Sequence, residues 1–467
     1  MITDELKYRI HGAFGHEPTE EQEEAIRVFA SFMTDRREMA AMVLRGSAGT
    51  GKTTLAAAIV RALLSLGQRL VLLAPTGRAA KVFSLYAGHA AYTIHRRIYR
   101  QKSMEGGFDL NFNSAHDTLF MVDEASMIAN GDTSLLYDLV HFVYNGRNCR
   151  LMFIGDLAQL PPVGETESPA LMAPVLRQLG LSVHECDLVQ VLRQSQQSGI
   201  LFNATRIRES MDAVERDGSS PWVLPKVRLA GFSDIRCVPG DELIETLASS
   251  YSKVGLDDTI VITRSNKRAN IYNQGIRNTV LDREDELCTG DQVMVVKNNY
   301  YWRKDEFIAN GDRAVVRRVR NIREFYGFRF ADVTLTFPDY DDYELTATTL
   351  LDTLRSEAPA LTREQQEQLY NKVMEDYADV PLKSDRLKKL KEDRYYNALQ
   401  IKFAYAATCH KVQGGQWAHV YVDQGYMTDD MLTPDYLHWL YTAFTRATEH
   451  LYLVNWAGSQ IEKETSV

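Results

Sequence analysis

Between residues 40 and 187, short and almost unbroken apolar runs alternate with longer stretches in which apolar residues recur every three or four positions. Residues 40–45, 69–74, 118–122 and 150–155 are the runs, and each predicts a strand buried on both faces. Residues 51–66, between the first two, carry the helical period. Such strands, separated by helices, specify a parallel sheet covered on both sides. A second region of this kind starts near Asp187 and includes 259–263, breaks off, and returns after about residue 400 with 401–408, 419–423 and 450–454. The interruption has another rhythm. Val333, Leu335 and Phe337 alternate with Thr334 and Thr336, which is half-buried antiparallel patterning, and NG and other turn signals separate the neighbouring runs. A small β-barrel over about 286–350 and charged helices over 353–397 account for it. The pattern divides the chain into an α/β domain, 1–186, a second, 187–285 plus 398–467, and an insertion, 286–397.

Composition changes this picture little. A chain of 467 residues is too long for one ordinary core, which agrees with the division. The opening segment lacks an apolar signal core and no run of eighteen apolar residues occurs, so neither secretion nor a membrane span is expected. The five cysteines are scattered, odd in number and form no CxxC pair, which removes zinc ribbons, disulfide frameworks and iron–sulfur clusters. A reducing, cytoplasmic setting is the expectation. The net charge of −9 argues against a uniformly nucleic-acid-coating surface, but binding follows local clusters. His95 through Lys102, Arg264 through Arg277 and Arg313 through Arg320 are such clusters, each of which alone reads more readily as a solvated face than as a binding site.

Gly46-Ser47-Ala48-Gly49-Thr50-Gly51-Lys52-Thr53 matches GxxxxGK[ST] between a predicted strand and a predicted helix. Glycines let the backbone N–H groups of such a loop wrap phosphates at the positive end of the helix. Lys52 is expected to reach the β- and γ-phosphates and the Thr53 hydroxyl to ligate Mg²⁺, which makes Mg-ATP the expected ligand. Asp123 and Glu124 end the apolar run 118–122, seventy residues beyond Thr53. There Asp123 suits the metal and Glu124 the activation of an attacking water. A kinase needs no such base. A GTPase needs NKxD, and Asn266-Lys267-Arg268-Ala269 lacks the aspartate.

Further segments stand in order along the chain: residues 74–80 (APTGRAA), 93–96 (TIHR), 155–163 (GDLAQLPPV), 408–416 (TCHKVQGGQ) and 440–447 (LYTAFTRA). Together with the phosphate loop, the chain closely resembles the superfamily 1B DNA helicases of the RecD, PIF and Dda branch, from Pro18 to Val454. The departures are mild: the acidic tetrad reads DEAS, and the segment between His95 and Asp117 is short for an added domain. The resemblance implies two tandem RecA-like P-loop NTPase domains, 1A and 2A, with a β-barrel 2B insertion in the second and a short pin insertion, about 98–117, in the first. It implies that Gln22 reads the adenine edge, that Thr54 and Gly415 join the nucleotide site, and that Gln159 senses the γ-phosphate. It makes Arg193 and Arg446 arginine fingers from the second domain, and a guanidinium there would stabilise the charge of the transferring phosphoryl group. A surface salt bridge is the plainer reading of either arginine. Pro75, Thr76, His95, Thr263, Asn266, His410 and Lys411 fall at DNA-contact positions, and Phe108 and Phe112 at a strand-separating pin, for which an ordinary surface hairpin is the alternative. The activity so implied is ATP-dependent 5′–3′ unwinding by a monomer on single-stranded DNA and at junctions. An RNA helicase or remodelling ATPase is the alternative.

Overall fold

A computed structural model describes residues 2–101, 108–131, 135–192, 197–217, 224–303, 307–428 and 431–463. The first sheet has six parallel strands in the order Ala91–Thr93, Arg69–Ala74, Thr118–Val122, Arg150–Gly155, Ala40–Gly46, Ser182–Leu188. The four strands with unbroken apolar runs fill its middle, as expected of strands covered on both faces. The edge strand Ser182–Leu188 is harder to see in the sequence, because His184, Glu185 and Asp187 interrupt its apolar residues. Two of these charges have a structural use. Arg45, the one charged residue in Ala40–Gly46, is paired by Asp187 at 2.5 Å and Glu185 at 3.0 Å from that neighbouring strand.

The second sheet has five parallel strands in the order Ala406–Thr408, Thr259–Thr263, Trp417–Asp423, Ala447–Val454, Ile235–Val238. Between its strands the chain detours into a closed barrel of Gln292–Val295, Arg313–Phe325, Phe328–Phe337, Tyr343–Leu350 and Leu399–Phe403. The expected alternation holds: Val333, Leu335 and Phe337 are buried inside it. The expected extent does not. The barrel closes only with Leu399–Phe403, so the run 401–408, read as one returning strand of the second sheet, is two strands separated by Ala404 and Tyr405. A barrel needs its last strand to cover the open edge of the first, and residues 286–350 alone leave Gln292–Val295 without its second neighbour. The charged segment forms helices Arg363–Asp376 and Lys383–Lys391 packed on Phe328, Phe330 and Leu350.

Where the chain enters and leaves the barrel, one carboxylate holds both crossings. Asp291 accepts from Arg277 at 3.1 and 3.0 Å, from Arg283 at 2.9 Å, from Tyr405 Oη at 2.8 Å and from Cys288 N at 2.7 Å. Arg277, expected within a basic cluster, is fully buried in this pair. Among the described residues no helix is long and apolar enough to cross a membrane.

Candidate nucleotide site and nucleic-acid interface

Strand Ala40–Gly46 delivers the phosphate loop and helix Lys52–Ser65 receives it. Gly49 and Gly51 take φ of +80° and +79°, which a side chain would oppose, and a Cβ on Gly51 would stand 2.4 Å from Gln22 Nε2. Lys52 Nζ donates to Gly46 O at 2.7 Å, folded back across its own loop. Thr50 Oγ1 closes the turn on Ser47 O at 2.8 Å. Thr53 is exposed at the helix start, with Thr54 beside it. Gln22 is fully buried: its oxygen accepts from Thr19 N at 3.0 Å in a capping box, and its nitrogen donates to Thr50 O at 3.2 Å. In this arrangement it buttresses the loop, with one N–H and one oxygen lone pair of its amide left over from these two bonds.

Asp123 follows strand Thr118–Val122. Burial, then the charge of Glu124, pushes its pKa up to about 6, against the hydrogen bond it takes from Tyr86. Its carboxylate and the Thr53 hydroxyl are hard oxygen donors of the type Mg²⁺ takes, so the residues fit that ion. Glu124 has φ of +51°, an uncommon left-handed setting that turns its side chain out of the strand line. It meets two other expected residues there. Arg446 Nη1 lies 3.9 Å from Glu124 Oε1. Gln159, oriented by its neighbours, donates to Glu124 Oε2 at 3.2 Å and accepts from Arg446 Nη2 at 3.3 Å. Arg446 comes from the second sheet's domain, is almost fully buried, and is held by Thr442 O at 3.1 Å and Gly415 O at 3.2 Å. Glu124, Gln159 and Arg446 are thus one cluster across the cleft. Arg193 lies outside the described residues; Leu192 before it donates to Gly49 O at 3.0 Å.

Sequence reasoning missed the residues that clasp the cleft. Tyr441, on helix Pro434–Phe444, donates to Asp156 Oδ2 at 2.6 Å and accepts from the phosphate-loop Ala48 N–H at 2.8 Å. Burial raises the pKa of both Asp156 and Tyr441. Thr442 Oγ1 accepts from Leu160 N at 2.8 Å, and Gln413 Nε2 donates to Leu160 O at 2.6 Å. Arg208, on helix Gly199–Asp217, donates to Ser47 Oγ and to Val189 O. Tyr441 and Asp156 do stand inside the motif segments 440–447 and 155–163, which was the only available signal. A cavity of about 450 Å³ opens beside Gly46 and Ser47, lined also by Asp156, Asp187, Arg208 and His438. Neither Lys52 nor Glu124 lines it, so it flanks the phosphate loop and is not the seat of the phosphates.

The expected nucleic-acid residues also follow the carboxyl ends of parallel strands, where α/β sheets bind ligands. Pro75 and Thr76 follow Arg69–Ala74, His95 follows Ala91–Thr93, Asn266 follows Thr259–Thr263, and His410 and Lys411 follow Ala406–Thr408. Thr76 caps helix Gly77–Ala87, accepting from Ala79 N at 3.2 Å. His410 is exposed and Lys411 half-buried. Thr263 departs from expectation: it is fully buried with its hydroxyl on Ser265 O at 3.1 Å, because it ends a central strand whose side chains face the core. His95 packs on Phe307 of the insertion with ring centres 5.7 Å apart, and Phe307 on Tyr300 at 5.3 Å, so the insertion reaches the first domain beside the expected pin. There Tyr99–Gln101 and Phe108–Leu110 pair as an antiparallel hairpin. Residues 102–107 and the side chain of Phe108 lie outside the described residues, while Phe112 is exposed. Lys402, missed by sequence reasoning, has its pKa lowered to about 8 by burial and then by Lys411.

Two family models match the chain: an AAA domain over residues 17–217 and a UvrD-like helicase C-terminal domain over 403–454. The ATP-dependent RecD2 DNA helicase of Deinococcus radiodurans is 29% identical over 63% of this chain and 38% of its own length. The ATP-dependent DNA helicase dda of Enterobacteria phage T4 is 26% identical over 59% of this chain and 60% of its own length. The chain thus spans less than two thirds of either relative. The crystal structure of Pif1 helicase from Candida albicans aligns over 96% of this chain and 97% of its own, with TM-score 0.46 and 16% identity.

Proposed function

We propose that this chain, which belongs to the RecD-, Pif1- and Dda-like branch of the superfamily 1B helicases, is an ATP-driven motor that moves 5′ to 3′ along single-stranded DNA and opens the duplex ahead of it. The observation that carries this reading is the contact of Glu124 and Gln159 from one domain with Arg446 from the other. Hydrolysis can drive motion only if the nucleotide favours one relation of the domains over another, and groups from both sides on one phosphate supply that difference.

In the proposed cycle Lys52 leaves Gly46 O for the β- and γ-phosphates, and the loop's N–H groups, that of Ala48 included, turn to the phosphate oxygens. Thr53 and Asp123 would hold Mg²⁺, which would supply charge neutralisation on the phosphates. Glu124 takes the proton of the attacking water, Gln159 reports the γ-phosphate to Arg446, and Arg446, with Arg193, stabilises the spread charge of the transition state. Gln22 and Gly415 line the same site. Pro75, Thr76, His95, Asn266, His410 and Lys411 grip phosphates and base faces without reading sequence. Thr263 acts there through its backbone position. The segment of about 98–117, with Phe108 and Phe112, parts the strands. The domain division of the reading is 1A over 1–186, 2A over 187–285 plus 398–467, and 2B over 286–397. Five free cysteines suit a reducing cytoplasm, and a monomer suffices for the cycle.

The test is turnover with poly-deoxythymidine, with poly-uridine and without nucleic acid, followed by fork unwinding with a 5′ or a 3′ tail. Strong stimulation by the DNA polymer and unwinding from the 5′ tail are expected. ATPase indifferent to DNA overturns the motor; stimulation by the RNA polymer alone moves the substrate to RNA.

A further inference from the structure

The turn Gln413-Gly414-Gly415-Gln416 lies between the two sites. On one side, Gly415 O accepts from Arg446 Nη1 at 3.2 Å, and Trp417 N donates to Arg446 O at 2.9 Å. On the other, the next carbonyl, Gln416 O, accepts from Arg78 Nη2 at 3.0 Å. Arg78 belongs to the first domain, in the opening turn of helix Gly77–Ala87, directly after Pro75 and Thr76. Its guanidinium lies over the Trp417 ring at 5.5 Å and within 3.5 Å of Asp339 on the insertion and 3.8 Å of Asp258 in the second domain. The turn is also seated on that helix. Gly414 has φ of +76°, and a Cβ there would meet Ala79 Cβ at 3.1 Å and Thr76 Oγ1 at 3.4 Å.

Peptide planarity leaves only the two backbone torsions of Gln416 between the carbonyl that holds Arg446 and the one that holds Arg78. A shift of the first turn of helix Gly77–Ala87 therefore reaches the nucleotide-side arginine through one residue of backbone. We propose that Arg78 is a positioning residue that couples engagement of a nucleic-acid strand at Pro75 and Thr76 to the setting of Arg446. It touches neither nucleotide nor strand in this role. The Arg78 guanidinium is suited to it, because a planar fork can bond Gln416 O, pair with Asp339 and lie on Trp417 together. The inference rests on the motor reading given above.

The experiment measures kcat, KM for ATP and oligo-deoxythymidine affinity for wild type, Arg78→Ala and Arg78→Lys, with and without the oligonucleotide. In Arg78→Ala the stimulation by DNA is expected to fall by about tenfold or more, with DNA-free turnover, KM and DNA affinity within about twofold of wild type. Arg78→Lys keeps a charge facing Asp339 but lacks the flat fork. It is expected to fold as wild type and remain uncoupled, and it carries the test if the alanine variant does not fold. Wild-type stimulation in either variant overturns the proposal. So does loss of stimulation matched by loss of DNA affinity, or an equal fall in DNA-free turnover. Absence of stimulation in the wild type itself overturns the motor reading, and this inference with it.

Discussion

Lys52 and Arg446 approach the phosphate site from opposite domains, and both hold backbone carbonyls, Gly46 O and Gly415 O. In the proposed cycle the Arg446 guanidinium is already fixed before a phosphate arrives, which reduces the ordering that binding must impose, whereas Lys52 must first leave Gly46 O. Their losses are expected to differ. Lys52→Ala removes the ground-state phosphate contact and abolishes turnover together with tight nucleotide binding. Arg446→Ala is expected to lower kcat by about 10³-fold or more while nucleotide still binds, checked by turnover beside fluorescent-nucleotide titration. A loss confined to affinity would remove Arg446 from the transition state. Lys52, Asp123, Glu124 and Arg446 were singled out in the sequence because each stands at a fixed place after a strand or in an ordered motif. Tyr441 and Asp156 were not singled out, since a Tyr–Asp bond across a cleft leaves no spacing in one chain. Gln22 was legible as a motif position, but its amide is engaged by Thr19 and Thr50 in this state.

At the scale of elements, the insertion carries a titration of its own. Asp312, at the start of strand Arg313–Phe325, is buried and accepts from Tyr340 Oη at 2.7 Å and Ala309 N at 2.7 Å, with Asp339 and Arg303 nearby. Burial pushes its pKa up to about 7 from the ordinary 3.8. The folded barrel therefore holds a proton that the unfolded chain has released. The stability this contributes is fully present below the ordinary value and is lost as pH rises through about 7. Urea midpoints at pH 5 and pH 8 are expected to fall more for wild type than for Asp312→Asn; equal falls would remove Asp312 as the cause. The barrel's strands were legible by their alternation, its closure was not. Leu399–Phe403 is buried at every position, so it carries no period to separate it from a strand of the neighbouring sheet. Ile235–Val238 escaped notice because it is only four residues long.

At the scale of the molecule, the clasp of Tyr441 on Asp156 and Ala48 joins the two domains. Tyr441→Phe leaves the buried Asp156 Oδ2 without its donor and the Ala48 N–H without its acceptor, while Ala158 N still bonds Oδ1, at a cost of about 1–3 kcal/mol. Helix Pro434–Phe444 is expected to exchange its amide hydrogens at least about fivefold faster in that variant, whereas unchanged exchange would mean the clasp adds nothing to the domain contact. The division into two α/β units and an insertion was legible because periodicity changes where the chain changes layer. How the units meet was not, since the hydrogen bonds, ion pairs and ring contacts between them join residues far apart in sequence. The nesting of the barrel bears on how the polypeptide first folds. Strand Thr259–Thr263 lies between Ala406–Thr408 and Trp417–Asp423, both of which are synthesised after the whole insertion. On the ribosome that strand waits with both hydrogen-bonding edges open, in the condition that favours aggregation. Barrel closure ends the wait: Asp291 gathers the two crossings, and a compact insertion replaces a long floppy loop whose ends must otherwise find each other. The second α/β domain therefore cannot complete its sheet until the whole insertion has been synthesised.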